Sequence, residues 1–277
     1  MTLTKNILLK NFDKKKKSDN LKKKFKLIIE KRNEVLESLK PSYEYSFSKN
    51  FIKKLKKINL EIRIIGMGGS ILGTKAIYKF LQHKIKKKVH FIDNLSNKEI
   101  TKKSQKFLNI IVSKSGNTLE TISNVNFLLK KKDKNLFITE KKKSYLSSLA
   151  KKLKAEVVDH NNYIGGRYSV LSEVGMLPAE LMGLNYKKFR QLNNLVNNKF
   201  FMKSLVSNVE STIHFLKTKK FNSIVINYDE QSTNLFNWYQ QLVAESLGKE
   251  KKGLLPIISI MPKDNHSVMQ LYLDGFK

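Results

Sequence analysis

Ile64-Ile65-Gly66-Met67-Gly68-Gly69-Ser70-Ile71-Leu72-Gly73 reads as an apolar strand that runs through glycines into a helix. None of the 12 glycines precedes residue 66, so four within this stretch mark a sharp turn or a close approach to a ligand. Backbone N–H groups at a strand–helix junction, with the helix N-terminus behind them, suit an anion. A tight turn with no ligand is the alternative. The third glycine of a G-x-G-x-x-G dinucleotide fingerprint would fall on Ile71. A P-loop starting at Gly68 fails at Thr74-Lys75, where Lys followed by Ser or Thr is required.

Outward from this junction the chain alternates. Short β-branched runs occur at 62–65, 89–92, 110–112, 136–139 and 156–158, separated by helical patterns at 72–84, 97–106, 118–132 and 143–152. Five strands divided by helices predict an α/β fold with a parallel, doubly wound sheet. Residues 1–57 form a Lys-rich helical arm, 58–184 the first domain with a helix over 169–182, and 185–202 a polar connector. A second series over 203–277 predicts a helix at 203–218, a strand at 223–227, a helix at 233–247 and a strand at 254–261. Two strands are too few for a complete sheet, so the second domain is expected to be C-terminally incomplete.

The chain has 277 residues, 54 Lys+Arg against 23 Asp+Glu, a formal net charge of +31 and no cysteine. A hydrophobic share of 40% supports a core, and the lack of Cys excludes disulfides, thiolate metal sites and a cysteine nucleophile. The positive charge invites a nucleic-acid partner. Its composition speaks against one: only Arg32, Arg63, Arg167 and Arg190 are arginine, and the 50 lysines are spread along the chain. Base readers rely on the bidentate Arg fork, whereas Lys is a point charge. Lys, Asn and Ile all have AT-rich codons, which accounts for the composition without a nucleic-acid partner. A basic surface still draws anionic metabolites. No apolar run reaches the ~18–20 residues of a membrane span, and the N-terminus has no secretory pattern, so a soluble cytoplasmic protein is expected.

Four further stretches carry chemistry. Val112-Ser113-Lys114-Ser115-Gly116-Asn117-Thr118-Leu119-Glu120-Thr121 places hydroxyls, a Gly and a Lys at a strand end entering a helix, which suits a phosphate monoester. N-capping by Ser115 or Asn117 is the other reading and is compatible with the first. Gly165-Gly166-Arg167-Tyr168-Ser169 presents a rare arginine on a di-glycine turn, where its planar donors could meet a developing anion. In Gln240-Gln241-Leu242-Val243-Ala244-Glu245-Ser246-Leu247-Gly248-Lys249, Gln241 and Glu245 share a helix face and Gly248 fits a C-terminal cap. Glu245 is a candidate general base or a solvent-exposed carboxylate. Asp264-Asn265-His266-Ser267 puts one histidine in a polar loop after a strand end, where catalytic groups of parallel sheets gather. The five histidines lack metal-ligand spacing, so no zinc site is expected.

Together and in this order, GMGGSILG, VSKSGNTLET, GGRYSVLSEVGMLPAELMG, QQLVAESLGK and DNHSVMQLYLDG resemble the glucose-6-phosphate isomerase family over residues 60–277. The resemblance implies two sugar-isomerase (SIS) domains, each a flavodoxin-like αβα sandwich, the second incomplete here. It also implies interconversion of glucose 6-phosphate and fructose 6-phosphate through a cis-enediolate. By resemblance, Gly69 and Ser70 approach the sugar, Ser113, Lys114, Ser115 and Thr118 hold the phosphate, and Gln241 lines the pocket. Glu245 is then the base, Arg167 the enediolate stabiliser, and His266 the ring-opening group, contributed across a homodimer interface. No metal or redox cofactor is implied. Two departures stand out. The family's C-terminal segment with a catalytic lysine has no counterpart here, and Met67 and Glu173 occupy positions the family fills with smaller or aliphatic residues. A non-catalytic sugar-phosphate-binding protein, or an inactive fragment, is the alternative function.

Overall fold

The computed structural model describes residues 19–31, 33–95 and 105–275. Strands β1 (Glu61–Ile65), β2 (Val89–Ile92), β3 (Phe107–Val112), β4 (Lys134–Thr139) and β5 (Glu156–Asp159) form one sheet. The order is β2-β1-β3-β4-β5 and every pairing is parallel. The strand order therefore reverses between β1 and β3, and a crevice opens at their C-terminal ends, the usual ligand position in such sheets.

Helices α1 (Asp19–Glu30), α2 (Glu34–Glu37), α3 (Lys49–Lys56), α4 (Leu72–Phe80), α5 (Leu119–Leu128), α6 (Tyr145–Lys152) and α7 (Glu173–Leu181) accompany this sheet. Side chains alternate across each strand, which sorts the core into two layers. Ile62, Ile64, Leu108, Ile110 and Ile138 pack with Ile52 and Leu55 of α3 and Val174 and Leu177 of α7. Ile65, Ile111 and Phe137 face the other way, onto Val125 and Leu128 of α5 and Leu146 and Ala150 of α6. β3, central in the sheet, is buried at every position.

A polar ladder interrupts the second layer. Arg63, Asn109 and Asn135 are register neighbours on three adjacent strands. Arg63 Nε donates to Asn109 Oδ1 at 2.8 Å, and its Nη2 donates to Leu128 O at 2.9 Å and to Asp133 Oδ2 at 3.1 Å. Asn109 Nδ2 reaches Asn135 Oδ1 at 2.8 Å, and the Phe107 N–H reaches Asp133 Oδ1 at 3.2 Å. With partners on every side, the buried ion pair fixes the register of β1, β3 and β4.

Helices α8 (Leu192–Val196) and α9 (Lys199–Lys217), strand β6 (Asn222–Asn227), helix α10 (Thr233–Leu247) and strand β7 (Leu255–Ile260) follow. β6 and β7 pair in parallel as a separate two-stranded sheet, with Ile226 and Leu255 exposed. α10 packs on β7 and also on α4, which ties it to the larger sheet. No helix among the described residues is long and apolar enough to cross a membrane.

Element ends depart from the sequence expectation where capping decides them. The helix expected over 169–182 divides into a 3-10 turn (Gly166–Leu171) and α7, because Ser172 is extended and its side chain accepts the Val174 N–H. The polar connector 185–202 contains regular structure. It holds a 3-10 turn (Tyr186–Phe189) and α8, and α9 starts at Lys199 because Asn198 accepts the Phe201 N–H at 2.9 Å. α4 ends at Phe80 and α5 at Leu128, both short of their expected limits. Most of the helix expected over 97–106, and residues 1–18 of the N-terminal arm, lie outside the described residues.

Replacing Arg63 by Met leaves the fully buried Asp133 carboxylate without its cation, and urea denaturation should register a loss of about 3–5 kcal/mol. Adding Asp133→Asn should recover part of that loss, since the uncompensated charge goes with it.

Candidate active site

After β1 the chain turns at Gly68, whose φ of +51° lies in the left-handed region. Gly69 is required for a different reason. A Cβ there would lie 2.3 Å from the carbonyl carbon of Gly166 and 2.5 Å from the Arg167 nitrogen. The glycine-rich stretch is thus where the β1 loop and the Gly165–Gly166 turn meet backbone to backbone. Ser169 secures the contact, with its Oγ donating to Gly166 O at 2.6 Å and Gly69 O at 3.3 Å. Neither Gly165 nor Gly166 has a positive φ, and a Cβ on Gly166 would meet only Gly69 Cα at 4.0 Å, so the close approach depends on Gly69 rather than on the di-glycine. Ser70 ends the short 3-10 turn Gly68–Ser70, half-buried on the same loop.

Beside it, the β3 loop winds around the Ser113 hydroxyl, which lies 3.0 Å from Thr118 Oγ1 and accepts the Gly116 N–H at 3.2 Å. Gly116 itself has φ +68°. Thr118 caps α5 without a side-chain bond, which leaves the first-turn N–H groups for a ligand. Neither Ser115 nor Asn117 caps α5, because each is engaged elsewhere: Ser115 Oγ accepts the Asn117 N–H at 3.1 Å, and Asn117 Oδ1 accepts the Tyr145 N–H at 2.9 Å. Thr121 Oγ1 is buried with no partner among the described residues. Its place in the hydroxyl-rich stretch was the signal for it, yet sequence reasoning did not nominate it.

Lys114 points elsewhere. Its Nζ donates to Asn162 O at 2.6 Å and lies 3.6 Å from Glu140 Oε1, so the ammonium braces the loop before Gly165 instead of facing the α5 N-terminus. Burial opposes ionisation of Glu140, but Lys142 and Lys114 hold its carboxyl below the usual range.

Arg167 and Glu245 meet across the crevice. Arg167 Nη1 donates to Glu245 Oε1 at 2.9 Å, its Nε donates to Ser246 Oγ at 2.8 Å, and its guanidinium lies 4.5 Å from the Tyr168 ring centroid. Tyr168 Oη is 2.8 Å from the same Ser246 Oγ; that bond, opposed by burial and aided by Arg167, lowers the phenol's pKa. Trp238 Nε1 donates to the Arg167 carbonyl at 3.3 Å. Glu245 is 53% exposed and Arg167 16%, so an arriving ligand has direct access to the carboxylate. One turn earlier on α10, Gln241 lies over Gly68, with its Nε2 at 2.9 Å from where a Cβ would be, and its Oε1 is buried without a partner among the described residues. Gly248 caps α10 as expected, its N–H reaching Ala244 O.

The structure therefore brings Gly69, Arg167, Gln241 and Glu245 together at the crevice, with Ser113, Ser115 and Thr118 on the adjoining loop. His266 stands apart. It is exposed on the 3-10 turn Lys263–His266, and its side chain makes no hydrogen bond among the described residues. Asp264 shapes that turn by accepting the Ile260 N–H at 2.7 Å and the Ser259 hydroxyl at 2.9 Å, and these bonds lower its pKa.

The family model described as phosphoglucose isomerase matches residues 8–255, a span that stops before His266. Proteins named glucose-6-phosphate isomerase are similar: that of Methanocaldococcus jannaschii is 36% identical over 248 residues, 82% of this chain and 60% of that protein. The one from Mycoplasma genitalium is 36% identical over 258 residues, 81% of this chain and 58% of that protein. The chain spans about three-fifths of the length of these curated relatives. Among solved structures, a hypothetical protein from Thermus thermophilus superposes with a TM-score of 0.72 at 21% identity, covering 93% of this chain and 68% of that one. A glucose-6-phosphate isomerase from Chlamydia trachomatis gives 0.62 at 22% identity, covering 82% and 50%. At these identities the structural matches speak for the fold.

Gly69→Ala should separate the β1 loop from the Arg167 turn. Its added methyl has only backbone to displace, so chemical denaturation should show a loss of about 1–3 kcal/mol.

Proposed function

The chain belongs to the phosphoglucose isomerase family, and we propose that it interconverts glucose 6-phosphate and fructose 6-phosphate. The observation that carries the reading is the Arg167–Glu245 pair, a cation and a carboxylate 2.9 Å apart beside a loop of hydroxyls. Aldose–ketose exchange needs a phosphate anchor, one base and a cation near the developing oxyanion.

In this reading the 6-phosphate rests on the α5 N-terminus, held by N–H groups and by the Ser113, Ser115 and Thr118 hydroxyls, with Gly69 and Ser70 along the sugar. Lys114 contributes by fixing the neighbouring loop, because its ammonium already has Asn162 O as a partner. Glu245 leaves Arg167 and takes the proton from C2 of the open-chain aldose. The C2–H electron pair forms the C1–C2 double bond, and the carbonyl electrons move to O1. Arg167, still held by Ser246, faces the cis-enediolate; the O2 hydroxyl proton passes to O1, the O2–H electron pair forms the C2 carbonyl, and the C1–C2 double-bond electrons take the proton back from Glu245 at C1. Gln241 Oε1, without a partner among the described residues, is placed to accept from a sugar hydroxyl. Ring opening falls to His266 supplied by a second copy, which fits its exposure here and makes a homodimer the working form. The expected compartment is the cytoplasm, and the expected role lies in glycolysis and gluconeogenesis. The domain division at 58–184 and 203–277 belongs to the same proposal.

A coupled assay of fructose 6-phosphate conversion tests this. Glu245→Gln should lower kcat by about 10²–10⁴-fold while sugar-phosphate binding persists. Binding without turnover in the unaltered protein would favour a sugar-phosphate-binding role.

A further inference from the structure

Behind the crevice, residues 43–46 are bonded to the chain on either side of Arg167. Tyr43 Oη donates to Glu173 at 3.0 Å (Oε2) and 3.2 Å (Oε1), and accepts from Asn161 Nδ2 at 2.7 Å. The Ser46 N–H donates to Glu173 Oε1 at 2.9 Å, and the Ser46 hydroxyl to Asp159 O at 2.7 Å. Glu173 is completely buried in the first turn of α7, where the helix dipole favours a carboxylate. Burial, and then that carboxylate, push the Tyr43 phenol far above its ordinary range, so it remains a donor.

Asn161 opens the loop that leads to Arg167. The same loop receives the Lys114 ammonium at Asn162 O, closes on itself through Ile164 N–H to Asn161 O at 3.1 Å, and buries Ile164 completely. Arg167 is thus gripped from the front by Ser246, Glu245 and Trp238, and its backbone is fixed from behind through Asn161. When Glu245 turns to a substrate, the front grip loses one bond and the rear one remains. Neither Tyr43 nor Glu173 is bonded to the α5 hydroxyls or to Glu245.

We propose that Tyr43 and Glu173 are positioning residues. Through Asn161 they set the loop 160–166 and hence the place at which Arg167 meets a developing oxyanion. This rests on the isomerase reading for its effect on turnover, though not for its effect on the loop. A guanidinium misplaced by a fraction of an ångström loses transition-state stabilisation while ground-state phosphate binding is untouched.

Trp238 is the only tryptophan and is bonded to the Arg167 carbonyl, so its fluorescence reports on this loop without any turnover. Tyr43→Phe removes one hydroxyl and keeps the ring. It should lower kcat about tenfold with KM within about twofold, raise acrylamide quenching of Trp238, and leave the affinity for inorganic phosphate unchanged. Glu173→Gln should act in the same direction, and the double variant should be little worse than either single one, because both break one linkage. Unchanged quenching in both variants would overturn the proposal. So would a loss of phosphate affinity matching the loss of kcat, which would mean general loosening. If the unaltered protein neither converts nor binds fructose 6-phosphate, the isomerase reading fails and the quenching comparison alone decides whether Tyr43 and Glu173 position the loop.

Discussion

The backbone of Gly69 lies against the peptide that joins Gly166 to Arg167, at a distance that no side chain permits. That contact seats the Arg167 turn over the crevice between β1 and β3. Gly68 next to it receives Gln241, so α10 settles on the same loop, and one turn further along Glu245 arrives beside Arg167. Two glycines without side chains thus determine where a cation and a carboxylate 78 positions apart come to face each other.

The large positive charge has little part in this. Of the three arginines whose surroundings are described, two are structural. Arg63 is buried in the ladder with Asn109 and Asp133. Arg190 is bonded to Tyr45 Oη at 2.7 Å and to Lys40 O at 3.1 Å, also reaches Ser38 O and Leu171 O, and lies over the Tyr43 ring. A guanidinium can be buried more readily than an ammonium because it is weakly hydrated and offers several fixed donors. Scarcity of arginine in a lysine-rich chain therefore marks sites where geometry matters, whether for packing or for chemistry.

Much of the first sheet was legible. β-Branched runs at 62–65, 89–92 and 136–139 became β1, β2 and β4 almost residue for residue, because each strand is buried by its own side chains. β3 runs longer than expected, from Phe107, since Asn109 in its middle is satisfied by Arg63 and Asn135 on neighbouring strands. Helix ends were less legible. The break at Ser172 and the early start of α9 at Lys199 depend on which side chain accepts an end N–H, and several nearby residues could have done so.

By itself the sequence determined the fold class, the positions of the glycine turns and the residue types gathered at the strand ends, because periodicity and backbone freedom are local properties. Only the tertiary structure decided that Arg167 faces Glu245 while Arg63 faces Asp133, and that Lys114 turns from the phosphate loop to Asn162. Nor did the sequence reveal that Glu173 is a fully buried acceptor for Tyr43 and Ser46. The reason is physical: a charged side chain finds its lowest energy with whichever partner the packing brings within about 3 Å, and such partners lie far away in the chain.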